Sequence, residues 1–126
     1  MGYARDMGRL LTHPHIGDVT VAALLHALSD PVRIGIVSEL LKVRGGMNCT
    51  ETASRLKQPM AKSTCSQHYR ILREAGLIAS ERRGVDLSSR VRAVELEGRF
   101  PGLLGSILQS YKKETSAAAR AKPRRR

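Results

Sequence analysis

Ser63, Thr64, Ser66, Gln67 and Arg70 fall within one short stretch, Lys62 to Arg70, that reads KSTCSQHYR. At about 100° per residue, Cys65, His68, Tyr69 and Leu72 lie within about 60° of one another and form a core-facing stripe. Ser63, Gln67 and Arg70 then lie on the opposite side, with Ser66 on the flank. The chemistry open to that face is hydrogen bonding, because hydroxyls, an amide and a guanidinium reach base edges and phosphate oxygens. A merely solvated helix face would carry mixed Glu and Lys. Covalent chemistry has less to work with. The nucleophiles are Cys49, Cys65 and the serines near His68, and no acid stands nearby in sequence to orient that histidine. There is no Gly-rich phosphate loop, and 126 residues leave little volume for a substrate pocket. The chain reads as a binding protein, not an enzyme.

The elements that must position this face can be read around it. Asp18 is the expected N-cap of a helix over Val19 to Leu28 that buries Val21, Leu24, Leu25 and Leu28. Asp30 caps the next helix, with Pro31 at its first position, and Ile34, Val37, Leu40 and Leu41 face inward. Gly45-Gly46 ends that helix. A third, capped by Asn48 or Thr50, runs through Ala53 and Leu56 and stops at Gln58-Pro59. Lys62 or Ser63 opens the fourth, and Gly76 closes it in a left-handed cap. Leu77 to Arg82 reads as a strand, Arg83 to Asp86 as a turn and Leu87 to Val94 as a returning strand. Arg82, Arg83 and Arg90 are expected around the tip of that hairpin, against phosphates or in the minor groove. Phe100-Pro101 opens a last helix whose Phe100, Leu103, Leu104, Ile107, Leu108 and Tyr111 share one wide apolar side, a surface for a partner as well as for the core. Tyr3, Met7, Leu10 and Leu11 suggest one short amphipathic helix at the start.

The predicted fold is α+β and mainly helical: a winged helix-turn-helix with a two-stranded β-hairpin wing and terminal dimerisation helices. Residues 1–17 are an N-terminal arm or short helix, 18–114 the dimerising domain, and 115–126 a disordered basic tail. Lys and Arg outnumber Asp and Glu by 22 to 11, for a net charge of +11, which favours polyanionic partners. Seven of those basic residues follow Tyr111, against the single acid Glu114, so the body remains basic without them. The tail adds sequence-independent phosphate affinity but does not choose a site. No apolar run approaches the roughly 18 residues of a membrane span, and no secretory signal opens the chain. Two cysteines make no disulfide framework. The expected address is therefore cytoplasmic, on the nucleoid when DNA-bound, with no membrane partner and no cofactor.

Three motifs resemble the ArsR/SmtB family of bacterial repressors. Leu28 to Ile34, LSDPVRI, resembles the family's L-x-D-P-x-R opening of the second helix. Ser63 to Tyr69, STCSQHY, resembles its S-T-V-S-x-H-L recognition helix. Leu72 to Ile78, LREAGLI, matches its L-R-E-A-G-L-[IV] exit. The likeness covers about residues 19 to 111, and Lys62-Ser63-Thr64 with Arg99 to Leu104 (RFPGLL) resembles one subgroup. The resemblance implies a homodimer, paired through its first and last helices, that binds double-stranded DNA at an inverted repeat as a repressor. Leu24, Leu25, Phe100, Leu103, Leu104, Ile107, Leu108 and Tyr111 would form its interface. Lys62, Ser63, Thr64, Ser66, Gln67, His68 and Arg70 would read DNA, with Gln67 the best placed to pair both edge atoms of adenine. His68 fits a partly buried, satisfied position equally well. The rival to a sequence-specific repressor is a non-specific basic or architectural nucleic-acid binder.

The resemblance also implies a signal, and here the chain departs from the family. Metal-sensing relatives carry Asp-x-His with further ligands on the terminal helix, or paired cysteines on the third. Phe100 to Lys113 contains no His, Cys or Asp, and the third helix region has only Cys49. No metal site is assigned, although His13, His15, Asp18 and His26 would be the ligands of a metal-responsive alternative. Cys49 and Cys65 are two buried apolar thiols or, alternatively, a redox switch, since oxidation at Cys65 would displace the reading face. No motif names an inducer.

Overall fold

A computed structural model of the chain describes residues 9–56 and 59–121. Tyr3 and Met7 of the expected first helix, and the expected stop at Gln58, lie outside those residues. β1 (Arg9–Leu10) leads through a 3-10 turn (Ile16–Asp18) into α1 (Val21–Ala27), α2 (Pro31–Leu41), α3 (Cys49–Leu56) and α4 (Lys62–Ala75). A hairpin of β2 (Ile78–Arg83) and β3 (Asp86–Val91) follows, then α5 (Ala93–Arg99) and α6 (Leu103–Ala121). The fold is α+β and mainly helical, with the wing after the helix-turn-helix.

Local chemistry sets the helix boundaries. Thr20, not Asp18, caps α1 by accepting from the Ala23 amide at 3.1 Å, because Asp18 is taken up in the 3-10 turn. Asp30 caps α2 by accepting from the Val32 amide at 2.7 Å, and Pro31 sits where no amide is needed. Asn48 and Glu51 cap α3 reciprocally: the Glu51 amide donates to Asn48 Oδ1 at 2.9 Å and the Asn48 amide to Glu51 Oε1 at 3.0 Å. Gly76 closes α4 at φ 95°, and a Cβ there would stand 2.4 Å from Val19 Cγ2. Conformation and space both demand glycine.

Ile34, Ile36, Val37 and Leu40 of α2 meet Cys65, Tyr69 and Leu72 of α4, Leu24, Ala27 and Leu28, and the strand-opening Leu77 and Ile78 in one apolar core. Leu41, expected inside, is 43% exposed. Arg33, Ile34, Ile36, Val37 and Leu40 are buried, and Leu41, the last residue of α2, stays outside although it follows Val37 by one turn.

β2 and β3 pair antiparallel from Ile78–Val91 to Arg83–Asp86. Arg9 and Leu10 add a third strand antiparallel to β2, opposite Arg82 and Glu81, and the Leu11 amide donates to Ser80 O at 2.9 Å. The expected helix through Leu10 and Leu11 is thus replaced by strand, because so short a helix nucleates poorly while a sheet edge offers ready backbone partners. Across the sheet, Met47 bridges Ser89. β3 ends at Val91 instead of Val94, and Arg92 turns the chain into α5, its buried guanidinium donating to Glu95 Oε1 and Pro14 O, each at 2.8 Å. The terminal helix continues to Ala121, through residues 115–121 that composition placed in a disordered tail. Ala117, Ala118 and Ala119 favour helix strongly enough to carry it there. The expected tail beyond, 122–126, lies outside the described residues. Among the described residues no single helix is long and apolar enough to cross a membrane.

Candidate nucleic-acid interface

Lys62, Ser63, Thr64, Ser66, Gln67 and Arg70 are all exposed along α4, while Cys65, Tyr69 and Leu72 are buried behind them. Ala61 precedes the helix without a capping side chain, so the first amides of α4 have no side-chain acceptor. Beneath the exposed face the Tyr69 hydroxyl meets the Thr52 hydroxyl of α3, and Thr52 Oγ1 donates to Asn48 O at 2.9 Å. Thr52 has one proton and gives it to Asn48, so Tyr69 is the donor to Thr52. Burial pushes the Tyr69 phenol up and keeps it a donor. The two helices of the helix-turn-helix are joined by this relay of hydroxyls.

His68 departs from the rest of the reading segment. It is half-buried, and its Nδ1 lies 3.4 Å from Nη1 of the buried Arg33.

On the wing, Arg82, Arg83 and Arg90 are exposed, but they do not gather at the tip. The register places Arg83 opposite Asp86, beside the turn, and Arg90 opposite Ala79, towards the base. Arg82, opposite Leu87, projects from the other face of the hairpin. Arg83 is also engaged: its Nε and Nη2 donate to Glu81 Oε1 at 3.1 and 2.7 Å. Arg82 and Arg90 form no ion pair among the described residues.

Cys49 at the start of α3 is half-buried and Cys65 is buried. The Cys65 thiol donates to Cys49 O at 3.8 Å, and both cysteines line a cleft with Thr50, Ala53, Met60 and Lys62. Burial and the neighbouring Cys49 push the Cys65 thiol up to about 12.

The expected pairing surface is divided. Leu24 turns into the core at 3% exposure, whereas Leu25 and Val21 remain 48% and 42% exposed. Phe100 and, on α6, Leu103, Leu104, Ile107, Leu108 and Tyr111 pack against the core by one side only and stay half-buried.

Residues 28–81 match the model of a helix-turn-helix domain family. The chain is 28% identical over 97 residues to the uncharacterised HTH-type transcriptional regulator YceK of Bacillus subtilis, covering 77% of this chain and 95% of that protein. It is 37% identical over 68 residues to the HTH-type transcriptional repressor SmtB of Mycobacterium tuberculosis, a match that spans 54% of this chain and about half (47%) of that repressor. Two solved structures share the fold. An ArsR-like transcriptional regulator from Rhodococcus sp. RHA1 superposes with TM-score 0.52 at 23% identity, over 82% of this chain and 93% of its own. The transcriptional repressor BigR from Xylella fastidiosa gives 0.50 at 24%, over 82% and 89%. The chain is therefore similar in sequence to helix-turn-helix transcriptional regulators and shares its fold with an ArsR-like one.

The ligands considered for a metal do not gather. Among the described residues, His13, His15, Asp18 and His26 belong to no group of three or more metal-ligating side chains. His13 Nδ1 instead lies 2.6 Å from Leu11 O. Two arginines that organise this fold were not singled out from sequence as interior groups. Arg92 ties α5 to the N-terminal arm, and no motif marks it. Arg33 had a signal, as the last residue of Asp30-Pro31-Val32-Arg33, although its burial and its contact with His68 depend on tertiary packing.

Proposed function

We propose that this regulator is a homodimeric repressor that binds an imperfect inverted repeat in duplex DNA. One observation carries the reading: the outward face of α4 presents two serines, a threonine, Gln67, Lys62 and Arg70, while its inner face is locked into the core. A helix so fixed holds base-reading groups in register, and Gln67 pairs adenine at its N6 and N7. Arg70 and Lys62 then contact phosphates, with Arg82 and Arg90 of the wing beside them. Two copies join through the exposed Leu25 and Val21 of α1 and the half-buried side of α6, placing two α4 helices about one DNA turn apart.

Fluorescence anisotropy on the protein's own promoter fragment against a scrambled duplex tests this. The repressor prefers the promoter, and Gln67→Ala erases much of that preference while leaving affinity for the scrambled duplex nearly unchanged. Equal affinity for both duplexes at every salt concentration would reassign the chain as a non-specific basic binder. Leu25→Glu should yield a folded monomer with weakened promoter binding.

Thiol oxidation is the regulation that the cleft favours. The half-buried Cys49 attacks peroxide first, giving a sulfenic acid and water. The Cys65 sulfur then displaces the sulfenic hydroxyl, and its proton leaves with that hydroxyl as a second water, so two thiols and one peroxide become one disulfide. Promoter binding that falls with peroxide, returns with dithiothreitol and is insensitive in Cys49→Ser supports this step. Undiminished binding by fully oxidised protein would make both cysteines core residues.

A further inference from the structure

Arg33 lies on the buried stripe of α2, with only 10% of its side chain exposed. A charged group is costly there unless it is well partnered, and three acceptors meet it. Ala27 O, at the end of α1, receives Nε at 2.6 Å. Asp30 Oδ2, in the cap of α2, lies 3.6 Å from Nη1. His68 Nδ1, on α4, lies 3.4 Å from the same nitrogen. Asp30 is itself held, since its other oxygen accepts from the Val32 amide. A guanidinium only donates, so His68 must accept through Nδ1, which puts the proton of the neutral imidazole on Nε2.

We infer that Arg33 is a positioning residue that aims the reading face of α4. Its planar fork ties His68 to the end of α1 and the cap of α2, and His68 is the immediate neighbour of Gln67. The apolar contacts of Cys65, Tyr69 and Leu72 hold α4 against the body but are non-directional. The fork adds the directional restraint that fixes rotation of the helix about its own axis. Because α1 also carries Leu25 and Val21, one side chain connects the proposed dimer seam to the base-reading side chains. Release of the tie changes how Gln67 meets a base edge, a contact sensitive to small displacements, and leaves phosphate contacts nearly as they were. The inference rests on the DNA-reading role of α4 proposed above.

The test uses the full chain, with anisotropy on the promoter fragment and a scrambled duplex, and thermal unfolding recorded beside it. His68→Asn places an amide oxygen near the position of Nδ1 and keeps the acceptor. His68→Leu fills similar space without one. Arg33→Lys keeps the charge but lacks a fork that spans Ala27 O and His68 together. The expected result is that His68→Asn retains the ratio of specific to non-specific affinity within about threefold. His68→Leu and Arg33→Lys should each lower it about tenfold or more, with scrambled-duplex affinity unchanged. If His68→Leu does not fold, Arg33→Lys decides. Retention of the ratio by Arg33→Lys or by folded His68→Leu overturns the inference. Equal loss in His68→Asn and His68→Leu also overturns it, because His68 would then touch DNA itself. A wild-type chain with no promoter preference would sink the DNA-reading role first, and this inference with it.

Discussion

Tyr69 of α4 donates its buried hydroxyl to Thr52 of α3, and Thr52 passes its own proton to the carbonyl of Asn48 at 2.9 Å. The relay has a direction, so its two members are not equivalent. Tyr69→Phe removes a donor and leaves Thr52 satisfied by Asn48, at a cost of about 1 kcal/mol. Thr52→Val leaves the Tyr69 hydroxyl buried with only its 3.5 Å contact to Asn48 O, at a cost of about 2 kcal/mol. Urea unfolding of the two variants should therefore rank Thr52→Val as the less stable. The reverse order would mean that the proton runs the other way.

Two glycines with positive φ make a second pair of unequal substitutions. Gly76 stands at φ 95° with Val19 in the space of a Cβ, while Gly84, at φ 63° on the wing tip, has nothing within 4 Å of that position. Gly84→Ala should cost about 1 kcal/mol, the conformational term alone. Gly76→Ala adds overpacking against Val19 and should cost about 3 kcal/mol or more. Thermal unfolding compares them directly, and equal losses would contradict the clash.

Glu81 holds Arg83 and adds a negative charge to the wing. Glu81→Gln should raise affinity for every duplex by about two- to fivefold, since an exposed pair is worth less than about 1 kcal/mol. It should also steepen the salt dependence by up to about one phosphate contact. Unchanged affinity and slope across a salt titration would place the wing away from DNA.

Cys65 and Cys49 should differ in reactivity and in their bearing on pH. A thiol reagent at neutral pH should label the half-buried Cys49 well before Cys65, as read by peptide mass spectrometry. The Cys65 thiol titrates at about 12 against an ordinary 9.0, so between those values the folded chain keeps a proton that the unfolded chain has lost. Its contribution to stability is fully present below pH 9.0 and is lost as pH rises towards 12. Tyr69 shifts in the same direction. The urea midpoint should therefore decline above pH 9.0, less steeply in Cys65→Ala. An equal decline in that variant would remove Cys65 from the cause.

What was legible in the sequence were signals confined to a few neighbouring residues. Asp30-Pro31 and the Gly76 cap mark their helix ends by backbone chemistry alone, and the stripe of Cys65, Tyr69 and Leu72 repeats often enough to orient α4. The Val19 start was misjudged because Asp18 and Thr20 are both competent caps, and only the 3-10 turn distinguishes them. α5 was hidden because Val91 and Ala93 extend the alternation of the strand, while only Leu96 of that short helix is buried. The site was half visible. The exposed side chains of α4 follow from helical spacing, but the inward turn of His68 depends on a guanidinium 35 positions away, and no local pattern encodes that.

The N-terminal strand has a consequence for the open edges of the wing. A two-stranded wing would present two rows of open backbone groups, each a template for another chain to extend. Here Arg9 to Leu11 occupy the outer edge of β2 from Arg82 to Ser80, and Met47 occupies the outer edge of β3 at Ser89. The arm thus shortens the open edge through which another chain could extend the wing.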